Sequence, residues 1–151
     1  MYNLSVEGNH NFFVGQRGWL VHNQTRGVDC PTYSVAFEGK LPQGLYPGVS
    51  APRHFQQMNE QLFNAFKADP AFAARMEAEF PGVILGVQPG KKGAFSRGSP
   101  TSDLTWHHEP NTPGLMQLVP RNQHAATGAV QRALHPNQQG GMEVWGGGRR
   151  K

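Results

Sequence analysis

Apolar residues recur at helical spacing in the middle of the chain. Within residues 53–67 they fall at i, i+3, i+7 and i+11, which places them on one face of a helix. They are Phe55, Met58, Leu62 and Phe66. Asp69 and Pro70 then predict a second helix, because proline is favoured in the first helical turn. Its buried face would consist of Phe72, Met76 and Phe80. The pattern therefore predicts two consecutive amphipathic helices.

Shorter apolar runs flank these helices and are typical of strands. Residues 1–23 predict two or three short strands with a hairpin. Residues 24–52 predict loop, because glycine and proline interrupt every candidate element apart from one brief strand over 33–37. The run at 83–87 (VILGV) predicts a buried strand.

The last third of the chain predicts a hairpin followed by a helix. Strands are predicted over 103–109 and 115–119, with a proline- and glycine-containing turn between them. A helix is predicted from residue 120 to about residue 134, and Gly128 within it is a candidate break. The glycine-rich tail that follows has Val144-Trp145 as its apolar anchor.

Composition fits one modest domain with irregular parts. Apolar residues make up 37% of 151 residues, and 19 glycines and 12 prolines interrupt regular structure. Neither a membrane-spanning apolar run nor a signal peptide is expected. The single Cys30 excludes an internal disulfide framework, and with no base nearby it favours an inert thiol over a catalytic one.

Charge is unevenly distributed. Residues 1–90 carry a balance of −1, whereas residues 91–151 carry +5. A basic half predicts a polyanionic partner, although solubility alone is an open alternative. The Gly-rich segment 88–102 carries Lys91, Lys92 and Arg97 and is either a solvated loop or a phosphate-contacting one.

Four of the seven histidines lie in the basic segment: His107, His108, His124 and His135. Neighbours on a regular strand point to opposite faces, but near the turn His107 and His108 could reach one site in different roles. Packing the following helix across the hairpin would bring His124 toward His107. Three neutral imidazoles suit Zn²⁺ or another late first-row ion. Surface or core histidines remain the alternative.

The string LTWHHEPNTPGLMQLVPRNQH, residues 104–124, resembles the signature of the WHH family of nucleases. This family is a branch of the HNH/endonuclease VII superfamily, which shares the ββα-metal fold. The resemblance extends more loosely upstream to about residue 29. It implies that His107 and His124 bind the metal ion and that His108 is the general base. It also implies that Trp106 packs to fix the strand.

Two features depart from that family. Its last histidine usually lies one helical turn after the His124 position, whereas here the next histidine is His135. A straight helix would separate the two by about 16 Å, so His135 can be a ligand only if the helix breaks. Leu115 replaces an orienting asparagine, which leaves His108 without an obvious partner. His54, at the start of the first helix, is interpreted as structural.

The segments VEGNHNFFVG and WLVHN resemble the end of a Hint (intein-like) domain, which closes on a His-Asn pair, here His22-Asn23. The strand with the first nucleophile is absent, so no self-cleavage is expected; an ordinary hairpin is the alternative. The order of Hint end then nuclease resembles the C-terminal toxin regions of bacterial polymorphic toxins. That implies a secreted or delivered effector that acts in the target-cell cytoplasm and is held harmless by a cognate immunity protein.

The predicted fold class is α+β, with a ββα-metal core at 103–135 and a helical support at 53–80. The predicted domains are a residual Hint end (1–23), a loop-rich linker (24–52) and a nuclease domain (53–151).

The predicted activity is metal-dependent hydrolysis of DNA with little sequence specificity. One divalent ion is expected, Zn²⁺ foremost, with Mg²⁺, Mn²⁺ or Ni²⁺ as alternatives. Phosphate contacts are expected from Lys91, Lys92, Arg97 and Arg121. The rival hypotheses are a non-catalytic, metal-stabilised binding module and an RNase on the same scaffold.

Overall fold

The computed structural model describes residues 33–147 and the backbone of two N-terminal strands, β1 (Asn11–Val14) and β2 (Trp19–His22). These strands pair antiparallel, with Asn11 opposite His22. The predicted N-terminal hairpin is therefore confirmed. Asn23 and Cys30 lie outside the described residues.

A three-stranded antiparallel sheet organises the rest of the chain. It contains β3 (Phe37–Lys40), β4 (Leu104–His108) and β5 (Leu115–Pro120), in the order β3-β5-β4. The C-terminal hairpin is thus confirmed, with β4 at one edge. In its register His107 lies opposite Gln117 and His108 opposite Met116.

The brief strand predicted at 33–37 is placed too early, since β3 begins at Phe37. Gly39 lies within this strand, at a point where a helix packs closely against it. A Cβ atom on Gly39 would lie 2.5 Å from Oε1 of Gln61 and 2.6 Å from Met58. Glycine therefore permits the close approach of the helix that packs on this strand.

The two predicted amphipathic helices are confirmed as α1 (Ala51–Ala68) and α2 (Pro70–Glu79). A short 3₁₀ helix (Gln43–Leu45) precedes them. Asp69 caps α2, because its Oδ1 accepts a hydrogen bond of 2.9 Å from the backbone N–H of Phe72. Met58, Leu62 and Phe66 are buried, as their spacing predicts.

Residues 83–87 do not form the predicted strand but contain a short helix, α3 (Val83–Gly86). The carboxylate of Glu77 accepts hydrogen bonds from the backbone N–H groups of Gly82 (2.6 Å) and Ile84 (3.0 Å), which favours a helical turn at this point. Val83 and Val87 are buried while Leu85 is 78% exposed. A short apolar run does not distinguish a buried strand from one helical turn, and here the Glu77 hydrogen bonds favour the helix.

One apolar core joins the sheet to α1, α2 and α3. Its fully buried members from the sheet are Leu104, Met116 and Leu118, and those from the helices are Met58, Leu62 and Val83. The α+β fold class is therefore confirmed. None of the described helices has the length and apolar character that a membrane crossing requires.

The single helix predicted over 120–134 is wrong. Two short helices, α4 (Arg121–His124) and α5 (Ala129–Leu134), are separated by a break. Gly128 lies at this break with φ of +74°, a conformation that glycine adopts readily. A 3₁₀ turn (Pro136–Gln138) and α6 (Gly141–Val144) follow.

The tail is anchored by only one of its two predicted apolar residues. Trp145 is 5% exposed, and its Nε1–H donates a 2.7 Å hydrogen bond to the carbonyl of Glu109. Val144 is instead 54% exposed. The tail therefore lies against the end of β4.

Candidate metal centre

Three histidines from separate elements converge beside β4. His107 lies on β4, His124 ends α4, and His135 follows α5. One ring nitrogen from each lies within 4.8 Å of the other two. The ring centroids are 5.2 to 5.4 Å apart. The triad could therefore hold a metal ion.

The break in the predicted helix makes this convergence possible. A continuous helix would separate His124 from His135 by about 16 Å. Because the chain reverses between α4 and α5 at Gly128, the two rings instead meet edge to face at 5.2 Å. The structure thus brings His135 into the site, whereas the continuous helix that the sequence pattern predicts would keep it away from His124.

An unsatisfied nitrogen in the triad fits a metal ion. His107 is 2% exposed, and its Nε2 is buried without a hydrogen-bond partner. Such a buried polar atom costs about 1–3 kcal/mol when nothing satisfies it. Three imidazoles are also a ligand set that late first-row divalent ions favour.

Gln131 links two members of the triad. With its amide oriented to satisfy both ends, its oxygen accepts from Nδ1–H of His135 at 2.8 Å. Its nitrogen then donates to the carbonyls of Ala126 (3.1 Å) and His124 (3.3 Å). This orientation leaves Nε2 of His135 with the lone pair that a metal ligand requires.

His108 points to the opposite face of β4 from His107, as alternation along a strand requires. Both residues nevertheless border one cleft, because β4 is the edge strand of the described sheet. His108 is 5% exposed and packs against the rings of Phe55 and Trp145.

The expectation that His108 lacks a partner is wrong. Nε2 of His108 lies 2.9 Å from Nδ1 of His54, a fully buried residue in the first turn of α1. Nε2 of His54 in turn lies 2.7 Å from the carbonyl oxygen of Leu45. Only a weak signal in the sequence points to this contact: His54 lies one helical turn before Met58 and therefore on the buried face of α1.

Burial keeps the site histidines neutral. Burial and the nearby His124, His135 and His108 together lower the pKa of His107 to about 3. Burial, together with the nearby His54 and His124, lowers the pKa of His108 to about 3. The pKa values of His124 and His135 are lowered by burial as well. Neutral imidazoles are the form that binds metal.

The cleft beside the triad is open and has a volume of about 480 Å³. The start of α1, strand β4 and the C-terminal segment 138–143 form its walls. Gly141 permits the close packing of that segment, because a Cβ atom there would lie 2.5 Å from the carbonyl oxygen of His108. Glu143 also lines the cleft and raises the pKa of His135 against the effect of burial.

Trp106 is 3% exposed, and its indole lies in the core. Its Nε1–H donates a 3.0 Å hydrogen bond to Oδ1 of Asn59 on α1. The Asn59 amide nitrogen donates to the carbonyls of Ser96 (3.0 Å) and Gly98 (2.8 Å). This network ties strand β4 and the loop around Arg97 to α1.

The structure does not bring the predicted phosphate contacts into the cleft. Lys91, Lys92 and Arg97 are exposed, and among the described residues that line the cleft there is no lysine or arginine. Arg97 donates to Oε1 of Gln56 at 3.3 Å. Arg121 donates to the carbonyls of Ser102 (2.6 Å) and Leu104 (3.0 Å), which joins the start of α4 to β4.

The fold and site define an α+β domain that carries a partly buried histidine cluster suited to a metal ion. The family model of the DNase/tRNase domain of colicin-like bacteriocins matches residues 22–130, most of the chain. The chain belongs to this family, and the prediction of a nuclease toxin is confirmed at that level. No curated protein and no solved structure matches the chain. The family match ends before His135 and the C-terminal wall of the cleft.

Proposed function

We propose that this domain is a metal-dependent endonuclease of the WHH type that hydrolyses DNA phosphodiester bonds with little sequence specificity. The observation that carries the proposal is the convergence of His107, His124 and His135 next to His108. The WHH-like sequence at 104–124 supports the subtype, and the family description supports a nuclease.

The four histidines then have two tasks. His107, His124 and His135 hold one divalent ion, with Zn²⁺ the first choice for three imidazoles. When bound, that ion stabilises the negative charge that develops on the phosphate and the leaving oxygen. His108 is neutral at physiological pH and accepts a proton from the attacking water. Trp106 fixes β4 through its hydrogen bond to Asn59.

Substrate binding relies on basic residues outside the cleft. Lys91, Lys92 and Arg97 are exposed on one loop, where they are available to phosphates that flank the scissile bond. Arg121 lies at the start of α4, close enough to His124 to lower its pKa. Binding through phosphates predicts strong salt dependence and weak sequence preference.

The biological setting follows from the same resemblances. We place the chain in the toxin region of a polymorphic toxin, with residues 1–23 as a residual Hint end, 24–52 as linker and 53–151 as nuclease. The toxin would be secreted or delivered, would act in the target-cell cytoplasm, and would be neutralised by a cognate immunity protein.

The test is cleavage of plasmid DNA and of RNA, side by side, with and without added Zn²⁺, Mg²⁺, Mn²⁺ or Ni²⁺. Wild-type protein should cut DNA only with metal, and His108→Ala should cut at least about 100-fold more slowly. Leu85→Ala, a change at an exposed residue that does not line the cleft, is the control. Equal rates for wild type and His108→Ala would overturn the proposal.

A ribonuclease is the second candidate, because the family description names tRNase as well as DNase activity. Metal-dependent cleavage of RNA but not DNA would favour it. A non-catalytic metal site would instead show no cleavage of either, and His108→Ala would lower thermal stability only.

A further inference from the structure

His54 is buried on α1 and contacts the site through His108, not through the metal cluster. Its two ring nitrogens have two neutral partners, the carbonyl oxygen of Leu45 (2.7 Å) and Nε2 of His108 (2.9 Å). No carboxylate takes part in these two hydrogen bonds. A charged, fully buried imidazole without such a counterion is costly, so His54 is neutral.

The direction of each hydrogen bond follows from the Leu45 carbonyl. A carbonyl oxygen only accepts, so Nε2 of His54 carries its single proton. Nδ1 of the neutral ring is then an acceptor, and Nε2–H of His108 must donate to it. Nδ1 of His108 is left with a free lone pair.

The other contacts of His108 do not select a tautomer. The rings of Phe55 and Trp145, at centroid distances of 6.1 and 5.1 Å, restrict the orientation of His108. They present no acceptor that distinguishes one ring nitrogen from the other. Among the described contacts of His108, the one with His54 selects which ring nitrogen carries the proton.

We propose that His54 is the positioning residue that holds His108 in its Nε2–H tautomer, so that Nδ1 is the nitrogen that accepts the proton from water. This inference rests on the proposed role of His108 as general base. It assigns a function to a residue 54 positions upstream of that base, in the helical support and not in the hairpin.

The first test is ¹⁵N NMR of the imidazole rings in metal-free wild-type protein near neutral pH. His108 should give the signals of a neutral ring with its proton on Nε2. In His54→Leu, which removes the acceptor, this preference should be lost. In His54→Asn it should be retained, because Oδ1 of asparagine can occupy the place of the Nδ1 acceptor. A wild-type His108 with its proton on Nδ1 would overturn the proposal.

The second test compares kinetics for the same variants. We expect His54→Leu to lower kcat about 10- to 100-fold while KM and Zn²⁺ affinity change little, and His54→Asn to restore much of kcat. Met58→Ala, a core change one turn along α1, controls for loss of stability. An equal kcat for His54→Leu and Met58→Ala, at equal folded fraction, would contradict the proposal.

The two proposals can fail separately. If wild-type protein cuts no nucleic acid with any metal, the nuclease function fails, while the NMR result still decides whether His54 sets the tautomer. If wild-type protein cuts DNA but His54→Leu leaves both the tautomer and kcat unchanged, only the role of His54 fails.

Discussion

Two of the site histidines each use one ring nitrogen to contact a protein partner. Nδ1 of His135 donates to Gln131, and Nε2 of His108 bonds to His54. Nε2 of His107 has no partner. Because a neutral imidazole has one donor and one acceptor, each of these contacts decides which nitrogen is available for chemistry. At the scale of the residue, function therefore depends on the partners of the histidines as much as on the histidines.

Gln131→Ala should weaken Zn²⁺ binding about 10- to 100-fold, as loss of an orienting partner does at metal sites. The reason is that both His135 and the backbone of His124 lose the contact that orients them. Isothermal titration calorimetry measures this, with Gln88→Ala on the exposed surface as the control. Equal affinity for the two variants would show that Gln131 does not orient the ligands.

Acidification should destabilise the metal-free protein. The folded-state pKa values of His107 and His108 are about 3, below the ordinary value of 6.5 that applies when the chain is unfolded. Between these values the unfolded chain binds more protons, so stability is full above pH 6.5 and falls as the pH drops toward 3.

Urea unfolding in the presence of a chelator, at pH 7 and at pH 4.5, measures this effect. We expect a loss on the order of a few kcal/mol at the lower pH. His108→Gln should show a smaller loss than wild type, because one buried imidazole is gone. A free energy of unfolding that is the same at both pH values would contradict the assignment.

At the scale of the element, turns between short pieces of structure decide where the histidines lie. The β4–β5 turn ends at Gly114, which has φ of +85°, and a Cβ atom there would lie 2.5 Å from the ring of Tyr46. The break before α5 has Gly128 with φ of +74°. Both positions require a conformation that other residues adopt at a cost.

Gly114→Ala should therefore lower the free energy of unfolding by about 2 kcal/mol or more, through strain and the clash with Tyr46. Thermal unfolding followed by circular dichroism measures the change. Gly44→Ala is the matched control, because its Cβ would have no atom within 4 Å. Similar melting temperatures for the two variants would contradict this account of the turn.

At the scale of the whole molecule, the site is assembled from distant parts of the chain. His54 comes from α1, His107 and His108 from β4, and His135 from beyond the end of the family match. The C-terminal segment 138–143 closes one wall of the cleft, and Trp145 fastens it to Glu109. The cleft therefore has this wall only when the segment is docked.

Gly141→Ala should displace that segment, because the added Cβ would lie 2.5 Å from the carbonyl of His108 and 2.8 Å from that of Glu109. We expect weaker Zn²⁺ binding and slower cleavage, while α1 and α2 stay folded. Calorimetry and plasmid cleavage measure the two effects, again with Gly44→Ala as the control. Unchanged metal affinity would mean that the tail does not support His135.

Local sequence patterns were sufficient to predict several elements of this fold. The helical spacing of Met58, Leu62 and Phe66 predicted α1, because burial of one face repeats every turn. Alternation and turn residues predicted the β4–β5 hairpin. The run at 83–87 was misassigned, because the contacts of Glu77 that make it helical lie in another element.

The sequence by itself determined the two amphipathic helices, the β4–β5 hairpin and the presence of a histidine-rich motif, since periodicity, turn residues and motifs are local properties of the chain. Only the tertiary structure decided that His135 joins His107 and His124, and that His54 is the partner of His108. The reversal at Gly128 and the packing of α1 against β4 both depend on contacts between residues far apart in sequence. Spacing along a chain cannot specify such contacts, because they form only when the core assembles.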